Sequence, residues 1–214
     1  MLETEQPAND LEVITRVRAG DLDAFEIIMR RHNPRVYRAV RSILRDEDEV
    51  EDVMQEAYVK AFQHLSDFEG RSAFSTWLIR IAVHEALARK RRAQRFDVLA
   101  EDEEALWMNP SNDPEKQTSS AEMIELLEQA IDGLKDGFRE VFMLRAVEEL
   151  SQSEVAECLG IKEETVKTRY FRAKEALRGA LIQRLESGLE QTFPFRATRC
   201  DRVVARVRER VGRQ

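Results

Sequence analysis

The sequence predicts an all-α protein: two small helical domains joined by an acidic flexible linker, the second containing a helix-turn-helix, plus a basic C-terminal extension. Three observations predict it. Apolar residues recur at spacings of three and four along most of the chain, the period of a helix with one buried face, and strand-like alternation is nearly absent. One interval, 97–120, loses that pattern and gathers two prolines, two asparagines, a serine/threonine cluster and seven acids against one lysine. A length of 214 residues favours two units at about 100 residues each, and a charged fraction of 35% fits small helical cores. The front domain is expected over 10–96, the linker over 97–120, the rear domain over 121–186 and the extension over 187–214.

In the front domain the spacing predicts a helix over 49–65. Val50, Val53, Met54, Ala57, Tyr58, Ala61, Phe62 and Leu65 share one face, a stripe broad enough to be core. The opposite face presents Asp52, Gln55, Glu56, Val59 and Gln63. A solvated polar face is one reading of that set. Val59, apolar and central in it, leaves a partner surface as the other.

A second helix starts near Ala73, with Phe74, Trp77, Leu78, Ile81 and Ala82 packing inward. Its C-terminal half bears Arg89, Lys90, Arg91, Arg92 and Arg95. Cations suit the negative end of a helix dipole. Five within seven residues exceed that need and point to a polyanion nearby. Just before the helix, the loop 66–72 holds Phe68, Gly70 and Arg71. An aromatic and an arginine on such a loop can stack on or clamp an unpaired base, at ~1–3 kcal/mol per base stacked. Equally, Phe68 can plug the core beneath the loop.

The interval 97–120 reads as extended or disordered chain. In the rear domain, Ser151 with Glu154 three residues on forms a capping box that starts a helix. Gly160 supplies the left-handed residue that ends it. Glu163 and Glu164 open a further helix, where negative charge complements the dipole. Val166, Tyr170, Ala173, Leu177 and Leu181 form its inward stripe. Lys167, Phe171, Lys174 and Arg178 lie opposite, with Thr168 and Arg172 beside them. That is the layout of a helix-turn-helix whose second helix enters a DNA major groove. A surface hairpin with a solvated basic face has the same pattern, but gives no reason for Phe171 among the cations.

Net charge is −7, and its distribution says more than its total. The front domain and rear domain are mildly acidic, the linker strongly so, and the extension basic. Phosphate neutralisation supplies most non-specific DNA affinity, so a chain of this balance makes local DNA contacts only if something else holds it in place. Three scattered histidines and two cysteines, Cys158 and Cys200, without CxxC or Cys/His spacing, propose neither a metal site nor a catalytic triad. The sequence offers no nucleophile, acid/base pair or phosphate-binding glycine loop, so no enzyme and no cofactor is expected. Cys158, between Val155 and Leu159, reads as a small buried hydrophobe. No apolar run reaches the ~20 residues that span a bilayer, and a reducing cytoplasm is the simplest home. Beyond 187, Val203, Val204, Val207 and Val211 share one side of a short basic amphipathic stretch.

Three segments together, EDVMQEAYVKAF, FEGRSAFSTWLIRIAVHEALARKRR and REVFMLRAVEELSQSEVAECLGIKEETVKTRYFRAKEALRGAL, resemble bacterial RNA polymerase sigma factors of the extracytoplasmic-function (group IV) type. The resemblance runs from about Leu11 to Leu185, in the family's order and spacing. It implies a front domain that is sigma region 2 and a rear domain that is sigma region 4. It assigns Asp52, Gln55, Glu56 and Val59 to docking on the β′ coiled coil of the polymerase core, and makes the β subunit a further contact. It assigns Phe68, Arg71, Ser72, Thr76, Trp77, Arg80, His84 and Arg91 to the promoter −10 element. Lys167, Thr168, Phe171 and Arg172 become readers of the −35 element, with Arg169 and Lys174 nearer its backbone. The family usually carries Asn where this chain has His84, which leaves the −10 base preference open. The acidic linker is similar to the segment that threads toward the polymerase active site and RNA exit channel. Promoter DNA, RNA polymerase core and an anti-sigma factor are the partners implied. Two rivals share parts of the pattern: a stand-alone dimeric regulator, and a sigma-like decoy that binds without initiating.

Overall fold

The computed structural model describes residues 9–97 and 119–189, and every regular element among them is helical, as the sequence predicts. Most of the linker, the chain beyond Leu189 with Cys200 and the valine stripe, and the side chain of Arg95 lie outside the described residues.

Helix α1 (Asp10–Arg18) starts at a capping box between Asn9 and Glu12. Helix α2 (Asp23–Arg41) follows a short turn. Asp46 caps α3 (Glu47–Gln63) by accepting from the Glu49 amide, so this helix begins two residues earlier than the apolar spacing suggests. A 3₁₀ turn at Leu65–Asp67 leads through the Gly70 loop to α4 (Phe74–Asp97). These four helices bury Val13, Ile28, Val36, Val50, Val53, Ala57, Leu78 and Ala82 to 2% exposure or less, which at about 25 cal/mol per Å² of apolar area is the main stabilising term. Phe62 is the exception on the α3 stripe: one edge packs on Phe25 at 5.2 Å, and the other is open to solvent.

Behind the linker come α5 (Ser119–Asp132), α6 (Asp136–Phe142), a π-helical turn at Met143–Val147, α7 (Gln152–Leu159) and α8 (Glu163–Leu189). The wide turn is visible in its hydrogen bonds: the Glu148 amide donates to the Met143 carbonyl and that of Leu150 to Leu144, both at 3.0 Å. Glu149 then takes a left-handed φ of 59°, rare for a residue with a side chain.

The described residues up to Leu177 form one compact unit, in which the front and rear helices are packed together; the last turns of α8, from Arg178, belong to a second. Helix α4 meets α7 as well as α2 and α3. It therefore buries Ile79, Val83 and Ala86 in addition to its predicted inward face, while Trp77 and Ile81 are only half-buried. The apolar cluster runs without a break from Ala86 to Val141, Leu144, Val155 and Val166.

Candidate nucleic-acid and partner interfaces

The outer face of α3 is open. Asp52, Gln55, Glu56 and Val59 are all exposed, Val59 at 56%, and together they line one concavity of about 630 Å³ with Lys60, Gln63, Glu85 and Arg92. Lys60 and Glu85 pair across its floor at 2.6 Å, and Arg89 reaches Glu56 at 3.2 Å. Gln55 also borders a larger groove of about 770 Å³ between α2 and α3, whose wall includes Met29, Tyr37, Met54 and Tyr58. An exposed valine among hydrogen-bonding side chains, beside an apolar groove, is suited to a protein partner.

The loop and first turns of α4 divide into open and covered residues. Phe68 is 7% exposed, edge-on to Phe74 at 5.3 Å and tilted against Trp77 at 5.5 Å. Its ring thus fills the core, the alternative that the sequence left beside base stacking. A phenyl ring on a seven-residue loop finds more apolar contact beneath it than in water. Arg71 is exposed, its Nε donating to Glu69 at 2.7 Å, and Ser72 is half-buried. His84 and Arg91 are exposed.

Thr76 and Arg80 lie under α7. Thr76 is 7% exposed and lies beside the carboxylate of Glu154. Arg80 pairs with Glu157 at 2.7 Å and lies near the Cys158 thiol. Burial raises the Glu154 carboxyl, but its bonds to Ser151, the nearby Thr76 hydroxyl and the Arg80 charge outweigh that, holding it below the usual carboxylate range. At Cys158 burial wins over Arg80, and the thiol is pushed up to about 11. The small-hydrophobe reading of this cysteine holds.

The helix-turn-helix is built as its sequence predicts. The Ser151–Glu154 capping box is complete, and Gly160 has φ 64°. Gln152 ties the two helices by donating to the Glu163 carbonyl at 3.1 Å. Val166 and Ala173 are fully buried, and Tyr170 stacks on Phe142 at 6.3 Å. Lys167, Thr168, Phe171, Arg172 and Lys174 all face solvent, Phe171 at 62%. Arg169 is half-buried, and its guanidinium lies so close to Gly137 that a Cβ there would meet Nη1 at 2.8 Å. It is turned away from the other five. Lys174 sits over the Tyr170 ring, 4.7 Å from its centroid.

Two features have no counterpart in the sequence reading. Helix α5 leaves Met123, Ile124 and Leu127 exposed at 58%, 58% and 42%, an apolar stripe flanked by Glu125 and Glu128. The 3.6-residue period was there to be read, but it reports an apolar face without saying whether the chain itself covers it. Second, Glu148 is fully buried, taken by Arg35 at 2.8 Å and Arg38 at 2.7 Å. Neither its position nor its neighbours mark it in the sequence, because the arginines lie more than 100 residues away.

Among the described residues no cluster of His, Cys, Asp or Glu could hold a metal ion, and no helix is long and apolar enough to cross a membrane. Two family models match the chain: Sigma-70 region 2 over residues 28–96 and Sigma-70, region 4 over residues 124–177. The chain is 35% identical over 189 residues to the RNA polymerase sigma-H factor of Pseudomonas aeruginosa, covering 85% of this chain and 96% of that protein. It is 35% identical over 176 residues to the ECF RNA polymerase sigma-E factor of Escherichia coli K12, covering 78% and 92%. Its structure resembles that of CnrH solved in complex with the cytosolic domain of CnrY, with a TM-score of 0.52 at 28% identity over 80% of this chain and 96% of CnrH.

Proposed function

This chain belongs to the extracytoplasmic-function type of the RNA polymerase sigma-70 factors, and from that premise we propose how its surfaces divide the work of starting transcription. As a sigma factor it binds core polymerase and directs it to promoters. Asp52, Gln55, Glu56 and Val59 dock on the β′ coiled coil, with Val59 as the apolar centre and the three polar side chains as its rim. The apolar stripe of α5 takes the β subunit. The boundaries read from the sequence, 10–96 for the core-binding and −10 domain and 121–186 for the −35 domain, divide these tasks, and the acidic stretch between them runs through the polymerase channel.

Lys167, Thr168, Phe171 and Arg172 read the −35 element in the major groove, where each good base contact contributes ~1–3 kcal/mol of discrimination. Lys174 approaches the backbone, and Arg169 joins it only by leaving Gly137. At the −10 element Arg71, Ser72, His84 and Arg91 meet the DNA first, with Thr76, Trp77 and Arg80 behind them. Phe68 supports Trp77 from below. Extruding a base costs a few kcal/mol, which a pocket must offset. Binding energy, supplied largely by core, drives this opening without nucleotide hydrolysis. The protein acts in the cytoplasm, and an anti-sigma factor holds it in check, a role that fits the partner-bound form of CnrH.

The observation that carries this reading is the exposed, phenylalanine-centred cationic face of α8 behind a capped turn. Run-off transcription with purified core on a randomised promoter library tests it. Enriched sequences should show two elements. Transcript-free occupancy would instead mark a decoy, and tight specific binding by the free chain a stand-alone regulator.

A further inference from the structure

We propose that the compact unit is a self-inhibited state, closed by an electrostatic clasp in which rear-domain carboxylates occupy front-domain cations around a central post, Glu148. The inference rests on the sigma-factor reading, since what is inhibited is promoter engagement.

The clasp has one polarity. Arg35 Nε and Arg38 Nε hold the two oxygens of the buried Glu148 carboxylate, and Arg35 Nη2 donates to its carbonyl at 2.7 Å. Arg41 grips Asp132 through two nitrogens at 3.2 and 2.9 Å. Lys90 takes Asp136 at 2.7 Å and Glu140 at 3.0 Å, and Arg80 takes Glu157 at 2.7 Å. In each of these pairs the cation is in front and the anion behind. Such an arrangement of carboxylates offers a basic surface what phosphates would offer it. Two of the cations, Arg80 and Lys90, stand on α4, the helix that the proposed function turns toward the −10 element. Thr76, on the same helix, is buried as well.

Distance makes the closed state incompatible with promoter reading. Elements about 25 base pairs apart are separated by roughly 85 Å at ~3.4 Å per pair. The 21 residues between α4 and α5, 98–118, reach only ~70 Å even when extended. Reading both elements at once therefore needs the two domains apart, with their own width and the linker sharing the span, whereas here α7 touches α4.

The clasp is also built to open. Arg139 buries Nη1 and Nη2, and Arg80 buries Nε, with no hydrogen-bond partner among the described residues; Arg139 Nη2 is 3.1 Å from Asp136 but poorly aligned. Buried charge without full hydrogen bonding gives back much of what its pairing gains. Meanwhile the α3 docking face and the α8 readers stay exposed in the closed form. Core can dock first and the clasp release afterwards.

Small-angle scattering and single-stranded DNA binding by the full chain test this without polymerase. Glu148→Gln, and separately Arg35→Ala with Arg38→Ala, should raise the radius of gyration by at least a fifth over the parent at low salt. They should also tighten binding to a mixed-sequence single-stranded 12-mer at least threefold, with helical content unchanged. If burial makes those variants fold poorly, Glu157→Lys at a side chain 58% exposed should move both readouts in the same direction. A parent that is already extended at low salt overturns the proposal, and so do expanded variants whose DNA affinity is unchanged. Failure of the sigma reading would show elsewhere, as an opened variant that binds core yet yields no transcript.

Discussion

Arg80 of α4 lies 2.7 Å from Glu157 of α7, so a cation that the family resemblance turns toward promoter DNA is neutralised by the first helix of the chain's own helix-turn-helix. The relation orders the expected effects of mutation. Residues already open should respond through binding alone, and residues beneath α7 through stability as well.

Glu56→Lys places a cation beside Arg89, now 3.2 Å from the native carboxylate. Both side chains are solvent-exposed or half-exposed, so stability should stay within ~0.5 kcal/mol. Affinity for purified core should fall at least tenfold, measured by fluorescence anisotropy of labelled chain. Unchanged affinity would remove the α3 face from the docking surface.

Phe171→Ala removes a ring that is 62% exposed. Thermal unfolding should be nearly unaltered. Discrimination among −35 sequences in holoenzyme binding should drop by ~1–3 kcal/mol, read from competition between consensus and single-base variants. A melting temperature that falls steeply would instead make Phe171 structural.

Phe68→Ala empties the middle of the Phe68–Phe74–Trp77 cluster. Phe→Ala in a core costs ~3–5 kcal/mol, so the urea midpoint should shift strongly downward. Phe68→Leu should recover most of that loss. A near-neutral Phe68→Ala with defective promoter melting would point to base stacking after all.

His32 predicts a pH dependence. It is 5% exposed, and burial lowers its pKa from 6.5 more than Asp10, at 3.1 Å, raises it. The unfolded chain therefore binds the proton more readily than the folded one, and stability is full above about pH 6.5 and declines as pH falls toward the folded value. Urea unfolding between about pH 7.5 and 5.5 should show that slope, and His32→Gln should flatten it.

The helical class and the helix-turn-helix were legible because local rules fix them. Ser151, Glu154 and Gly160 act within a few residues of themselves, and the Val166–Ala173 stripe needs only helical period. Phe68 and Arg169 were less legible. Whether a ring on a loop points in or out, or an arginine reads DNA or lies over Gly137, depends on surfaces distant in sequence. Glu148 was illegible for the same reason. A carboxylate in a turn reads as solvated until Arg35 and Arg38 are brought to it by the fold. The double burial of α4 also escaped, because Ile79 and Val83 complete an apolar band that a single-faced pattern does not anticipate.

Burial of Cys158 also governs its chemistry. A thiol with no exposed surface and a pKa near 11 is almost wholly protonated at neutral pH, and the thiolate is the form that attacks. Maleimides and peroxide should pass it by while the native fold persists. With only one other cysteine in the sequence, rapid alkylation of the folded chain reports Cys200. Labelling of Cys158 by either reagent would thus mark unfolding of the chain.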